Sequence, residues 1–298
     1  MNSFPTKILA ATDGSEHAVL AARAATDLSL HSGAELHVVH VWQEPRLAMT
    51  LPAIATDEYS QARERWEREA GDLLHEQADR MRDTEATVAG AHLRKGRPAE
   101  EVVSLAEELE ADLVVVGSRG LGRAKRLVTG SVSEGIVHLA SSPTLIVRGG
   151  EGVWPPRDVV VGDDGSQEAA RAGKLAAQVG KLFEASVLLV GVYSIRLVSS
   201  PARAPMPRTF DELLNEGEDI LNERAASLET VSGDRPETMV ATGDAAAVIQ
   251  EIAGESALVA VGSRGLGAVR RFTLGSVSTD VLRAVSGPVL VCPSPGGA

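Results

Sequence analysis

The chain has 298 residues, of which 44% are hydrophobic, a net charge of −12 at pH 7 and one cysteine. This length is sufficient for two domains of ordinary size, each with its own core. The acidic balance argues against nucleic-acid binding, which needs a basic face, and no apolar run approaches the length of a membrane span. Because the first residues lack the apolar core of a signal peptide, we expect a cytoplasmic protein without membrane contact.

The first half of the chain is predicted to alternate between strands and helices. Apolar runs and alternating patterns predict five strands, at 7–12, 36–42, 84–94, 113–116 and 143–148. Helices are expected after Ser15, at 57–82, at 98–110 and from Ser131. Strands that alternate with helices in this way predict a parallel sheet covered by helices on both faces.

The second half repeats this order. Asp164, Gly165 and Ser166 follow a strand at 158–163, as Asp13 and its two neighbours follow the first strand. Further strands are expected at 187–193, 237–241, 258–261 and 288–292. A stretch rich in glycine and proline, 149–157, has the composition of a linker. The sequence therefore predicts one domain at 1–148 and a second at 158–298.

A glycine motif follows the fourth strand of each half. It has two residues between its first two glycines and nine before the third, and its members are Gly117, Gly120, Gly130 and Ser131. The copy lies 145 residues later (262 minus 117, and 275 minus 130), and its members are Gly262, Gly265, Gly275 and Ser276.

These glycines predict an anion site, because a missing Cβ lets backbone N–H groups approach an anion closely. The helix that starts at Ser131 adds unpaired donors and partial positive charge. We therefore expect a phosphate chain between the loop and this helix, with the hydroxyls of Ser131 and Ser133 serving phosphate oxygens or a bound divalent cation. Under the alternative interpretation, the glycines only form a turn and Ser131 only caps its helix.

The motif, with its preceding strand and following helix, resembles the nucleotide-binding signature of the ATP-binding universal stress proteins. The resemblance covers essentially the whole chain, twice. It implies an α/β fold of two tandem, doubly wound (Rossmann-like), five-stranded parallel-sheet domains with strand order 3-2-1-4-5. In such a sheet the ligand crevice opens between strands one and four, where the order reverses. The resemblance also implies one ATP per domain, with Mg or Mn held through the phosphates and not by direct protein ligands.

The resemblance places Asp13 and Asp164 against the nucleoside, and the main chain of Val41 and Val192 against adenine. The residues expected at the first site are Ala11, Thr12, Asp13, Val41, Gly117, Ser118, Arg119, Gly120, Gly130, Ser131, Val132 and Ser133. Those expected at the second site are Gly162, Asp163, Asp164, Val192, Gly262, Ser263, Arg264, Gly265, Gly275, Ser276, Val277 and Ser278. Under the alternative interpretation, each Asp before Gly and Ser only forms an ordinary turn and helix cap.

One position departs from the repeat, because Asp163 stands where the first half has Thr12. A carboxylate near a polyanion weakens binding unless it faces away or a cation bridges it. Further cations lie near the glycines, and of these Arg119 and Arg264 lie inside the loops. The others are Arg123, Lys125, Arg126, Arg270 and Arg271.

The sequence favours binding over catalysis. Neither loop has the Lys-Ser/Thr ending of a P-loop, and no residue is identifiable as a base that positions water. The leading interpretation is a nucleotide-dependent regulatory module in stress response or growth arrest, with an unidentified protein partner. The alternatives are a slow ATPase or other adenine-nucleotide enzyme, and a dimerisation module with vestigial sites.

The fifth strands, 144–147 and 289–292, are short, apolar and at one edge of their sheets. Exposed apolar edges are usually paired or hidden, and universal stress proteins commonly dimerise through this strand. We therefore expect the two fifth strands to pair within the chain, with further homodimerisation left open.

Overall fold

The computed structural model describes residues 4–44, 57–84, 86–120, 130–150, 152–193, 210–265 and 274–294. Ten strands and eight helices lie in these segments. The strands are β1 Lys7–Thr12, β2 Glu35–Trp42, β3 Val88–Lys95, β4 Leu113–Gly117, β5 Thr144–Val147, β6 Asp158–Gly162, β7 Ser186–Tyr193, β8 Glu237–Thr242, β9 Leu258–Gly262 and β10 Val289–Cys292. The helices are α1 Glu16–Ser32, α2 Asp57–Arg82, α3 Pro98–Glu108, α4 Ser131–Leu139, α5 Gln167–Leu182, α6 Phe210–Ser232, α7 Ala245–Ala253 and α8 Ser276–Ala284.

All ten strands form one sheet in the order β3-β2-β1-β4-β5-β10-β9-β6-β7-β8. Within each half this is the expected order 3-2-1-4-5, and every pair within a half is parallel. The halves join where β5 and β10 pair antiparallel, with Leu145 opposite Leu290. The expected pairing of the fifth strands is therefore present, and it fuses the two expected sheets into one.

The two strands at this junction are buried along their whole length, because helices cover both faces of the sheet. One face carries the core formed with α1, α2, α5 and α6, and the other carries the core formed with α3, α4, α7 and α8. Runs of four apolar or small residues without alternation are typical of strands buried on both faces.

The third strand starts later than the sequence predicts, at Val88 instead of residue 84. Thr84 belongs to the turn after α2, because its backbone N–H and its hydroxyl both donate to the carbonyl oxygen of Met81, at 3.3 Å and 2.7 Å. Ser, Thr and Asn side chains often divert the backbone into such turns, which alternation alone does not reveal.

The stretch between the halves packs against both of them. Trp154 is buried, and its ring lies edge-on to that of Phe183 at 5.4 Å between centroids. Phe183 in turn lies 5.0 Å from the ring of His31 on α1. The division into domains at 1–148 and 158–298 stays a prediction. Within the described segments, no helix is both long and apolar enough to cross a membrane.

Candidate functional site

The carboxyl ends of β1 and β4 lie side by side, since Ala11 is opposite Val116 in the sheet. Asp13 follows β1, and the glycine loop follows β4. A Cβ built on Gly120 would lie 2.2 Å from Oδ2 of Asp13, so the loop backbone is in direct contact with this carboxylate. The structure thus brings together two predicted site residues that are about a hundred positions apart in the sequence.

The second half repeats this contact. Gly162 is opposite Val261 at the ends of β6 and β9, and a Cβ built on Gly265 would lie 2.1 Å from Oδ2 of Asp164. Two independent copies of one loop therefore reach the same arrangement.

In the Asp-Gly-Ser turn, the serine side chain caps the helix and the aspartate side chain stabilises the turn itself. The hydroxyl of Ser15 caps α1 by accepting a hydrogen bond from the N–H of Ala18 at 3.2 Å, and Oδ1 of Asp13 accepts the N–H of Ser15 at 3.0 Å. Ser166 and Asp164 repeat these bonds at 3.1 Å each. Asp13 therefore stabilises the turn with one oxygen while the other faces the glycine loop.

Gly117 and Gly262 are required for packing. A Cβ on Gly117 would lie 2.6 Å from the carbonyl carbon and oxygen of His17, at the first turn of α1. A Cβ on Gly262 would lie 2.8 Å from Cβ of Glu168. Neither glycine has a positive φ. The close approach of a strand end to a helix is thus a reason for glycine here that differs from the expected approach of an anion.

The third glycine of each motif fixes the start of a helix. The N–H of Gly130 donates to the carbonyl oxygen of Ser118 at 2.6 Å, and that of Gly275 donates to Ser263 at 2.8 Å. Because the N-cap residue of α4 and of α8 is a glycine, no side chain of the cap occupies the first-turn N–H groups. Such a helix start is suited to an anion.

The serines of these helix starts have different surroundings. Ser131 and Ser276 are exposed, whereas Ser133 and Ser278 are buried. The hydroxyl of Ser133 donates to the carbonyl oxygen of Gly130 at 3.0 Å, and that of Ser278 donates to Gly262 at 2.7 Å. The buried pair therefore ties each helix to its own loop, and the exposed pair is the one placed to meet a ligand.

A cavity of about 500 Å³ lies at the carboxyl ends of β6 and β9. It is lined by every residue predicted for the second site except Ser263. Its polar lining includes Asp164, Arg264 and Ser276, and its apolar lining includes Val192 and Ile249. The cavity has the size and the mixed lining of a small-molecule site.

Sequence reasoning missed part of the apolar lining, notably Val190 and Ile249. Alternation along β7 could have found Val190, because it shares a face with Val192. No sequence signal places Ile249, which reaches the cavity from α7 because a Cβ is missing at Gly162: a Cβ there would lie 2.9 Å from its Cδ1.

The first site has partly described surroundings. Ser118 is buried, Arg119 and Gly120 are exposed, and Ala11 and Val41 are partly buried. The cations predicted near the glycine loops lie outside the described residues, except the two inside the loops; those outside are Arg123, Lys125, Arg126, Arg270 and Arg271.

Next to the first loop, His17 lies beside Ser118 and near the charge of Arg119. The hydroxyl oxygen of Ser118 lies 3.5 Å from Nδ1 of His17. Burial lowers the pKa of His17, and the positive charge of Arg119 lowers it further.

In the described part of the chain, no group of three or more His, Cys, Asp or Glu side chains is arranged to hold a metal ion.

Asp163 is part of the lining of the second cavity, but its carboxylate points into the protein and not into the cavity. Its side chain is fully buried, and its Oδ2 accepts a hydrogen bond from Nε of Arg224 on α6 at 2.8 Å. Its Oδ1 accepts the N–H of Gly165 at 2.8 Å. The expected weakening of anion binding at this position therefore has no basis in the structure, because the extra carboxylate is turned inward and matched by a cation.

The comparisons with known proteins agree with this architecture. The sequence profile of the "Universal stress protein family" matches residues 5–148 and, a second time, residues 156–293. A universal stress protein of Mycolicibacterium smegmatis is 29% identical over 217 residues, 72% of each chain, and one of Mycobacterium tuberculosis is 33% identical over 188 residues, 61% of this chain and 62% of the relative. The match therefore spans about three fifths to three quarters of these relatives.

Solved structures cover almost the whole chain. A universal stress protein from Archaeoglobus fulgidus superposes with a TM-score of 0.70 at 22% identity, over 98% of this chain and 100% of its own. At that identity the likeness concerns the fold alone. Because the two matches to the family profile together cover most of the chain, the chain belongs to the universal stress protein family and has the tandem, two-repeat form.

Proposed function

We propose that this protein is a nucleotide-binding regulatory module that holds one ATP in each half. The observation that carries the proposal is the cavity of about 500 Å³ in the second half, where Asp164, Arg264 and the start of α8 converge. A volume of this size accommodates a nucleotide, and the helix start offers N–H groups to its phosphates.

Each part of the lining suits one part of the ligand. The apolar side chains of Val192 and Ile249 can pack against the base. The carboxylate of Asp164 can accept hydrogen bonds from the ribose hydroxyls. The exposed hydroxyl of Ser276 and the guanidinium of Arg264 suit the phosphates. Mg or Mn, when bound, would screen the phosphate charge and would be held by phosphate oxygens, and the exposed hydroxyl of Ser276 could serve as a further ligand.

The first half supports a matching site. Its loop makes the same contact with Asp13 through Gly120, and Ser131 is exposed at the glycine-capped start of α4. Because both halves keep these features, we propose two sites per chain.

Binding without rapid turnover fits the acidic groups of the second cavity. Among its described lining residues, the carboxylates are Asp163 and Asp164. Asp163 is bound to Arg224, and Asp164 accepts the N–H of Ser166. The side chain of Asp163 has no exposed surface from which to take a proton from water, and we assign the remaining oxygen of Asp164 to the ribose and not to water. The role in stress response or growth arrest, the cytoplasmic location, a homodimer and a protein partner are proposed from family membership.

Two measurements on the purified full chain test this function against its alternatives. Mass spectrometry of the denatured protein is expected to detect co-purified adenine nucleotide, and phosphate release with ATP is expected to stay near background. Steady phosphate release that is lost in Gly120→Ala/Gly265→Ala would favour an enzyme. The absence of nucleotide, together with no thermal shift at millimolar ATP, would favour a dimerisation module with vestigial sites.

A further inference from the structure

Arg148 belongs to the first half, but its side chain is bound by the second. It follows β5 directly and is only 4% exposed. Its Nη1 donates to the carbonyl oxygen of Leu282 at 2.7 Å and to that of Val285 at 3.0 Å. These two carbonyls lie at the C-terminal end of α8, and the first residue of α8, Ser276, lines the second cavity.

The two hydrogen bonds satisfy groups that α8 cannot satisfy itself. The last carbonyls of a helix have no partner within it, and a cation there complements the negative end of the helix dipole. In α8 the carbonyl oxygen of Val281 accepts a hydrogen bond from the N–H of Val285 at 3.0 Å. The carbonyl oxygens of Leu282 and Val285 accept theirs from Arg148. Burial lowers the pKa of Arg148 to about 10, so the guanidinium stays charged at neutral pH.

A helix of only nine residues needs such external contacts. Isolated helices of this length are marginal, and their orientation in a protein comes from packing. Since the start of α8 presents its N–H groups to the second cavity, the contact that fixes its other end also fixes how those groups point.

Arg148 is also adjacent to the first site. The N–H of Ser118, in the first glycine loop, donates to the carbonyl oxygen of Val147 at 2.9 Å. The charge of Arg119 contributes to the lowered pKa of Arg148. Arg148 therefore lies between the loop of one site and the phosphate-facing helix of the other.

Among the described residues, the repeat shows no reciprocal contact at this position. β10 corresponds to β5 with an offset of 145 (289 minus 144), so Pro293 stands where the first half has Arg148. A proline side chain has no hydrogen-bond donor. The end of α4, the helix of the first site, is thus not held from the second half in this way.

We propose that Arg148 is a positioning residue for the second nucleotide site. Nucleotide binding in the second half then depends on a residue of the first half, whereas binding in the first half does not depend on Pro293, the residue that corresponds to Arg148. This inference rests on the proposed function. It makes the two sites unequal in a defined direction, although their glycine motifs are the same.

Photolabelling of the full chain with 8-azido-ATP at sub-saturating concentration, followed by peptide mapping, reads each half separately. With Arg148→Met, label within residues 158–294 is expected to fall roughly five-fold, which corresponds to the loss of about one net hydrogen bond. Label within residues 7–148 should stay within about two-fold, because that half keeps its own helix contacts. Arg148→Lys, which keeps a charge and a donor, should recover part of the lost label.

If Arg148 had a purely structural role, its substitution would lower the labelling of both halves to the same extent. Equal loss in both halves, or no loss in either, would overturn the inference while leaving the proposed function intact. If Arg148→Met does not fold, Arg148→Gln keeps an amide donor without charge and is expected to show the same selective loss. A wild-type chain that is labelled in neither half would overturn the proposed function and this inference with it.

Discussion

Oδ2 of Asp163 and Nε of Arg224 lie 2.8 Å apart, with the carboxylate side chain completely buried. Arg224 also donates through Nη2 to the carbonyl oxygen of Ser166 at 3.2 Å, so it ties α6 to the turn that carries Asp164. In the first half the corresponding positions are Thr12 and Gln77, at offsets of 151 and 147, and both are buried. The repeats therefore place an ion pair at these positions in the second half and two buried, neutral polar residues in the first half.

This exchange predicts a compensating effect on stability. Arg224→Met leaves a buried carboxylate without its cation and is expected to lower the free energy of unfolding by about 3–5 kcal/mol. The double variant Asp163→Thr/Arg224→Gln copies the first half and should recover most of that loss. Urea denaturation of the full chain, followed by circular dichroism, measures both. A double variant no more stable than Arg224→Met would contradict the pairing.

The packing of the glycine loops predicts that Gly117→Ala lowers stability. Its Cβ would meet the backbone of His17 at 2.6 Å, and this backbone cannot rotate away as a side chain can. Overpacking of this kind lowers the free energy of unfolding by about 1–3 kcal/mol. Gly71→Ala is the matched control, because nothing lies within 4 Å of a Cβ there. Equal melting temperatures for the two variants would show that the strand end and α1 are not in close contact.

Gly265→Ala is expected to separate binding from stability. Its Cβ would meet Oδ2 of Asp164 at 2.1 Å, at the far end of a flexible side chain that can move. The fold should therefore tolerate the change, while displacement of the carboxylate lowers ATP affinity in the second half roughly ten-fold. Titration calorimetry gives the affinity and a thermal melt gives the stability. Unchanged affinity would remove Asp164 from the ligand's surroundings.

The histidine pair of β2 and β3 predicts loss of stability in acid. Nδ1 of His37 lies 3.0 Å from Nε2 of His92, so one of these nitrogens must accept a hydrogen bond from the N–H of the other. Burial lowers the pKa of His92, and His37 and Arg94 lower it further, against a smaller opposing effect of Glu108. Because the folded pKa lies below the ordinary value of 6.5, the unfolded chain binds more protons as the pH falls past 6.5.

The free energy of unfolding should therefore decrease from pH 7 downwards until the folded pKa is passed. His92→Gln keeps a donor and an acceptor but cannot be protonated, so it should flatten this decrease. His17, whose pKa is lowered as well, accounts for part of the remaining slope. Parallel pH profiles for the wild type and His92→Gln would contradict this assignment.

The pairing of β5 with β10 predicts that the first half, expressed alone, self-associates. Leu145 is 2% exposed and lies opposite Leu290, and without the second half this edge would be open. Residues 1–148 expressed alone are expected to self-associate, and Leu145→Glu in that fragment should prevent it. Light scattering after size exclusion measures the mass. A well-folded, strictly monomeric fragment would contradict the pairing as the main junction.

Local patterns predicted most of the fold, because the buried strands read as apolar runs and the repeat doubled every signal. They failed where a residue's surroundings come from a distant element. Asp163 reads as a second carboxylate at a phosphate site until Arg224, 61 positions later, is known to cover it. Likewise, Ile249 enters the cavity only because Gly162 leaves room for it, whereas the first half has Ala11 there.

Isothermal titration of the full-length chain with ATP and Mg²⁺, after any co-purified nucleotide has been removed, shows directly whether each half holds one nucleotide. Saturable binding of two ATP per chain is expected, and it should fall to one in Gly265→Ala under conditions where the weakened site stays empty. A chain that keeps its fold and binds no ATP at millimolar concentration would rule out both sites.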